Sequence, residues 1–336
     1  MKQLISIFCA YLLVACQPKT QRFTFSGEAF GTTYNIVVLA EDTPQITSAL
    51  DSLIHVVNRS LSTYDPSSDI SKINDGQSGV VVDTMFAEVF QLSKRVYADT
   101  DGFFDPTVGP LVNAWGFGPE SIAGDRSAIL DSLRPLVGYD QVMLNDQNSI
   151  VFGKKGMYLD FNAVAKGYAI DRMGVMLDRI GFNNYLIEVG GEVLVKGQNT
   201  LKNSPWRIGI DDPLAQDRSQ PIRTITLKKG AMASSGNYRK FVLDSVTGQK
   251  FVHTINPITG KAQPSSTLAV SVIAPDCATA DAYATAFMAM GLERTQAWVT
   301  RQQCTGGVDA CLEVFAVYAA PDGSLLTWET PGFGKR

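Results

Sequence analysis

Three stretches of the chain combine residue types that ordinary core or surface does not require. The first is Leu159-Asp160-Phe161-Asn162-Ala163-Val164-Ala165-Lys166-Gly167-Tyr168. It reads as a strand ending in an acid and running straight into a helix start. Helix N-termini expose unpaired N–H groups and favour phosphate, and Lys166 adds a mobile cation. The plainer alternative is that Asp160 or Asn162 caps the helix while Lys166 lies in solvent. The second stretch, 276–287, places Asp281 and Thr285 four apart, on one face of a helix. A carboxylate and a hydroxyl, completed by backbone carbonyls and phosphate oxygens, suit Mg²⁺, a hard ion that rarely takes an all-protein cage. The alternative is an exposed Asp beside a Thr that bonds back to its own helix. The third is His253-Thr254-Ile255-Asn256-Pro257-Ile258-Thr259-Gly260, a tight turn by its Asn-Pro and Thr-Gly pairs. It is preceded by Ser234-Ser235-Gly236-Asn237-Tyr238. His253 reads either as a reactive group or as a hydrogen-bonded loop histidine.

Other chemistries are excluded. With only two histidines, His55 and His253, a His-rich zinc site cannot be assembled. There is no H-E-x-x-H, paired C-x-x-C, phosphate-binding P-loop or G-x-S-x-G elbow. Gly116-Phe117-Gly118 followed by Pro119 is too little for a dinucleotide fingerprint. Nothing in the spacing of Ser234, Ser235 and His253 favours a serine hydrolase. The 336 residues are 45% hydrophobic and 18% charged, which excludes disorder. The net charge of -4, without a Lys/Arg cluster, argues against nucleic acid as partner.

The elements that must position these residues follow from periodicity. Strands are expected over 30–39, 144–152, 157–160, 206–211, 222–227, 313–318 and 325–328, with a strand pair over 185–195. Helices are expected over 46–61, 85–98, 163–180 closed by Gly181, and an Ala-rich 278–290 stopped by Gly291. Residues 102–118 read as a structured loop with short helical pieces. Strands and helices mix without strict alternation, which predicts an α+β fold of mostly antiparallel sheets with packed helices.

The N-terminus reads as an address. Leu4 to Ala15 is nearly all apolar, about half the ~20 residues that span a bilayer, and fits a secretory signal. Leu13-Val14-Ala15-Cys16 resembles a bacterial lipobox, whose Cys is lipidated and becomes the new N-terminus. The expected division is a signal peptide over 1–15, a lipidated Cys16 with a polar tether over 16–22, and one domain over 23–336. The mature protein would be lipid-anchored in the bacterial cell envelope, facing the periplasm. Of the remaining cysteines, Cys304 and Cys311 flank a turn-like stretch where an oxidising compartment permits a disulfide, and Cys277 reads as a small buried residue.

Taken together, the motifs resemble the ApbE family of periplasmic FAD:protein FMN transferases. The resemblance is carried by Phe30-Gly31-Thr32-Thr33-Tyr34, Ser62-Thr63-Tyr64-Asp65 with Asp69-Ile70-Ser71, and Gly102-Phe103-Phe104-Asp105-Pro106-Thr107 with Trp115-Gly116-Phe117-Gly118. It continues through Asp160 to Gly167, Glu188-Val189-Gly190-Gly191-Glu192, Ser234 to Tyr238, His253 to Gly260, and the helix start from Thr279 to Thr285. The resemblance implies a two-lobed fold with FAD in the cleft between the lobes. It implies that Tyr64, Phe103, Phe104 and Asp105 hold the flavin nucleotide, that Asp160 and Lys166 bind it, and that Ile255 lines it. Phe30 stands where relatives usually carry Met beside the flavin. The Ala163 carbonyl, Asp281 and Thr285 match a Mg²⁺ site.

The implied reaction moves FMN from FAD to a Thr or Ser hydroxyl of a partner flavoprotein and releases AMP, with His253 as the base or acceptor-positioning group. Implied partners are subunits of Na⁺- or H⁺-pumping respiratory complexes or other extracytoplasmic flavoproteins. Two alternatives stay open: an FAD pyrophosphatase giving FMN and AMP, and a non-catalytic FAD-binding lipoprotein.

Overall fold

The computed structural model describes residues 19–118, 126–215, 220–237, 241–243, 250–252, 254–262, 266–302 and 311–335. Its centre is one antiparallel sheet of eight strands. In chain order these are β1 (Gln21–Ala29), β2 (Thr32–Ala40), β5 (Tyr185–Val189), β6 (Glu192–Lys196), β9 (Lys229–Gly236), β12 (Thr267–Ala274), β13 (Glu313–Ala319) and β14 (Leu325–Glu329), and they lie side by side in that order. Three hairpins stand apart from it: β3 (Val142–Leu144) with β4 (Ile150–Phe152), β7 (Trp206–Asp211) with β8 (Pro221–Leu227), and β10 (Phe241–Leu243) with β11 (Lys250–Val252). The helices are α1 (Thr47–Leu61), α2 (Asp69–Asn74), α3 (Thr84–Asp99), α4 (Gly109–Ala114), α5 (Arg126–Leu133), α6 (Ala165–Ile180), α7 (Cys277–Met290) and α8 (Leu292–Arg301). The fold is α+β.

Strand alternation decides what each face of the sheet meets. Ile36, Val38, Ile187, Val189 and Ala231 point to the helical side and pack with Ile170, Met173 and Leu177 of α6. Val37, Val193, Val195, Met232 and Ile273 point the other way, under Trp206, Ile208 and Ile225 of the β7–β8 hairpin. Beyond α7, the largest cluster joins α1, α2 and α3 to the loop around Phe161, whose ring meets Phe86 edge-on at 5.3 Å.

Several expectations are corrected. Strand β1 begins at Gln21 and forms the sheet edge by pairing along the whole of β2. The strand expected over 144–152 is a hairpin, turned at 145–149, where Asn148 has φ 53°. Residues 157–160 are extended but join no ladder. The Asn74 side-chain amide satisfies both backbone groups of Leu159, at 2.7 and 2.8 Å, and the Asp160 N–H donates to the Pro106 carbonyl at 2.7 Å. The central strands β9 and β12 carried no clear signal, and neither did α8.

Residues 1–18, with the expected signal and Cys16, lie outside the described residues, and so do His253, Tyr238 and Cys304. Cys311 is disulfide-bonded, and Cys277 is buried and free. Among the described residues no helix is long and apolar enough to cross a membrane.

Candidate active site

The site grows from the crossing of α6 and α7. Helix α6 begins without a side-chain cap at Val164. The Phe161 carbonyl accepts from Val164 and Ala165, and the Val164 carbonyl accepts from Tyr168. The intervening donor, the Gly167 N–H, leaves the helix and donates instead to Asp281 Oδ2 at 3.1 Å. In a continuous helix that N–H would bond the Ala163 carbonyl. The Ala163 oxygen is therefore released, and among the described residues no hydrogen bond to it is found. Asp281 thus caps α6 from another element. The close approach needs small residues: α7 is lined with buried alanines, and a Cβ on Gly167 would stand 2.4 Å from the Cys277 carbonyl oxygen.

The N-terminus of α7 is held from two sides. Asp276 accepts from the Thr279 N–H at 2.8 Å, and the Asp171 carboxylate accepts from the Cys277 and Ala278 N–H groups at 2.7 and 2.8 Å. That grip fixes where Asp281, 7% exposed, and the half-buried Thr285 one turn later can point. Lys166 is paired rather than free in solvent, although 29% of its side chain stays exposed. Its Nζ pairs with Glu192 Oε1 at 2.9 Å. Burial alone would pull the ammonium down, but Glu192 and Asp281 outweigh it and hold Lys166 above the ordinary lysine value. Burial pushes both carboxyls up, and Lys166 opposes this. Two carboxylates share one ammonium, and the Glu192 Oε2 atom is buried with no hydrogen-bond partner.

This donor set fits a hard cation. It offers a released carbonyl, a carboxylate and a hydroxyl, in a place left net negative when both acids are ionised. Among the described residues no group of three or more His, Cys, Asp or Glu could hold a metal, so an ion here would complete its shell with substrate or water oxygens.

The same segment reaches a second group of residues. Asp160 accepts from the Asn162 N–H at 2.8 Å, and Asn162 Nδ2 donates to Thr63 Oγ1 at 3.2 Å, tying the α1–α2 turn to the α6 entry. Tyr64, in that turn, is 62% exposed. Partial burial and then the Asp160 charge raise its hydroxyl above the usual tyrosine value. Phe103 is half-buried, with the Arg294 guanidinium of α8 at 5.3 Å from its ring centre.

Other expected site residues have buried side chains. Phe104 is 3% exposed, and its ring packs in the main core. Burial lifts the Asp105 carboxyl to about 6, and it is spent on its own turn, accepting from the Thr107 N–H and Oγ1 at 2.7 and 2.6 Å. Ile255 packs with Leu111, Trp115 and Ala262, while Ile258 nearby is exposed. Phe30 sits at φ 53° and Gly31 at φ 73°, the two turn positions of the β1–β2 hairpin. A bulky side chain seldom takes that conformation, and the Phe30 ring packs against both helical-side clusters.

Glu192, Asp171 and Arg294 carry no role that local sequence pattern assigns. Glu192 carried one signal, an acid directly after a Gly-Gly turn. Two cavities, of about 530 and 310 Å³, lie elsewhere, one at the start of α7 beside Asp171 and one between the sheet and the β7–β8 hairpin. Neither is lined by Asp281, Thr285, Tyr64 or Phe103.

The fold and the helix crossing define a class, α+β proteins in which one helix start and a neighbouring acid-and-alcohol helix form a polar site. The model of the ApbE family matches residues 30–312, and the chain belongs to that family. Among its relatives are the FAD:protein FMN transferases of Haemophilus influenzae and Vibrio cholerae. The first is 32% identical over 88% of this chain and 89% of the relative, and the second 33% identical over the same shares. The solved flavin transferase ApbE from Vibrio cholerae superposes with a TM-score of 0.81 at 31% identity, covering 94% of this chain and 99% of that one.

Proposed function

We propose that this chain is an FAD:protein FMN transferase. Its substrates are FAD and a Thr or Ser hydroxyl of a partner flavoprotein. The hydroxyl oxygen bonds to the flavin-side phosphorus, the bond from that phosphorus to the bridging oxygen breaks, and AMP leaves with the bridge. The observation that carries this reading is the convergence of Asp281, the released Ala163 carbonyl and the Lys166 ammonium at one helix crossing, in a chain of this family.

Asp281, Thr285 and Ala163 would hold Mg²⁺, which when bound neutralises charge on phosphate oxygens and orients them. Lys166 and the α6 N-terminus add fixed positive potential where phosphoryl charge develops. Tyr64 and Phe103 offer flat surfaces for an aromatic ring system. Asp160 fixes the α6 entry and the charge beside Tyr64. His253 accepts the hydroxyl proton, as the one side chain of the third motif with a suitable ordinary pKa.

The reading extends to the cell. Cys16 is lipidated, two or three acyl chains anchor the protein stably, and the domain faces the periplasm, where it modifies subunits of Na⁺- or H⁺-pumping respiratory complexes or other extracytoplasmic flavoproteins.

Incubation with FAD, Mg²⁺ and a candidate acceptor tests the chemistry by mass spectrometry. The expected result is an acceptor carrying FMN on Thr or Ser, with one AMP released per transfer. Free FMN formed equally well without acceptor would make the chain a pyrophosphatase instead. A wild-type transfer rate in His253→Ala would remove that residue as the base.

A further inference from the structure

Glu192 is placed by backbone. It opens β6 directly after Gly190 and Gly191, whose φ values are 60° and 100°. The turn is seated on the β1–β2 hairpin: the Gly190 N–H donates to the Thr33 carbonyl at 3.1 Å, and a Cβ on Gly190 would stand 2.8 Å from Thr32 Cγ2. The Gly191 N–H donates to Glu188 Oε1 at 2.6 Å. Alternation along β6 sends Val193 and Val195 to the hairpin side of the sheet, so Glu192 crosses to the helical side. Its side chain is 4% exposed there.

The two carboxylate oxygens then have different fates. Oε1 holds Lys166 at 2.9 Å, while Oε2 is shut from water with no donor. The Glu192 and Asp281 carboxyl groups lie within hydrogen-bonding reach of each other. When both are ionised, neither carboxylate offers the other a donor, and a buried oxygen without a donor is costly. The imbalance lies beside Asp281. Groups just outside a metal's ligand set orient the ligands and the water on the ion.

We propose that Glu192 is a positioning residue for the cation: its Oε2 accepts a hydrogen bond from water on the ion at Asp281, and its Oε1 keeps Lys166 turned toward the same point. This rests on the reading of Asp281, Thr285 and Ala163 as the ligands. Glu192 makes no contact with the reacting atoms.

The test is Mn²⁺ affinity of the full chain, read from the loss of the free-ion electron spin resonance signal, with and without FAD. Asp281→Asn is expected to abolish binding. Glu192→Gln is expected to weaken Mn²⁺ by about 10–100-fold, the range for lost outer partners, while Glu192→Ala, which leaves room for water, does the same. Thermal midpoints taken alongside separate a lost fold from a lost oxygen. Wild-type Mn²⁺ affinity in either folded Glu192 variant, together with loss in Asp281→Asn, overturns this inference alone. Wild-type affinity in Asp281→Asn, or no binding by the unaltered chain, overturns the cation reading and this inference with it.

Discussion

The contact between Gly167 and α7 predicts what one methyl group does. In Gly167→Ala the new Cβ would stand 2.4 Å from the Cys277 carbonyl oxygen, 2.7 Å from its carbon and 2.9 Å from the Ala278 Cα. All three atoms are backbone, so no rotamer change relieves the clash. Ordinary contact begins near 3.4 Å, so the start of α7 must withdraw by about 1 Å. Overpacking of this kind costs about 1–3 kcal/mol, and the better helix propensity of Ala returns up to ~1 kcal/mol. The expected net loss is about 1–2 kcal/mol in urea unfolding. The same withdrawal carries Asp281 away from the Gly167 N–H and the Ala163 carbonyl, and a displacement of ~1 Å at such a site costs about 10²-fold in rate. Flavin transfer to the acceptor, followed by the added FMN mass, is therefore expected to slow about a hundredfold in a protein that still folds. Gly174→Ala is the control on the same helix: its methyl meets Leu194 Cδ2 at 2.6 Å, the movable end of a side chain. It should cost less than Gly167→Ala, because a flexible side-chain end can yield where backbone cannot, and leave the rate unchanged. If Gly167→Ala transfers flavin at the wild-type rate, or if the two variants lose equally, the argument that this contact sets the site is wrong.

Further outcomes are expected elsewhere. Burial lifts the Asp171 carboxyl to about 7, against the N–H groups of Cys277 and Ala278. A native pKa above the unfolded value near 3.8 means that this group's contribution is complete at acid pH and is lost as pH rises through about 7. Relative to wild type, Asp171→Asn should therefore gain stability as the pH rises from about 4 to about 7 in urea titrations, and a constant difference would contradict the assignment. Tyr64→Ala should leave the unfolding midpoint unchanged, because the ring is mostly exposed, while weakening FAD by the ~1–3 kcal/mol of a lost stacking surface in fluorescence titration. Asp83→Ala removes the acceptor for the Phe86 N–H at 2.8 Å and Ser60 Oγ at 3.0 Å, and calorimetry should show a loss of about 1–2 kcal/mol.

Much of the fold was legible where periodicity is local. The amphipathic spacing of 46–61 and 85–98 predicted α1 and α3 to within a residue. The strand pair over 185–195 follows from alternation around Gly190-Gly191. Strand β9, Lys-Gly-Ala-Met-Ala-Ser-Ser-Gly, was invisible because its small residues have low strand propensity. It is a strand because β6 and β12 flank it and α7 needs a shallow surface to lie on. Residues 157–160 erred the other way, since an apolar run looks the same whether a neighbouring strand or a single Asn74 side chain satisfies its backbone.

The site divides along the same line. By itself the sequence set the chemistry: an acid and an alcohol one helical turn apart, a lysine in a helix start, and aromatic residues in the loops around them. Covalent order and helical period fix these, whatever lies nearby. Only the tertiary structure decided that Asp281 caps α6, that this releases the Ala163 carbonyl, that Lys166 is paired rather than solvated, and that Glu192 arrives from β6 with one oxygen unmatched. It also turned Phe104 and Ile255 inward. Each depends on which groups lie within a few ångströms of one another, and that distance is set by packing between separate elements, Lys166 against Glu192 of β6 and Gly167 against Asp281, the latter 114 residues apart, which no local pattern records.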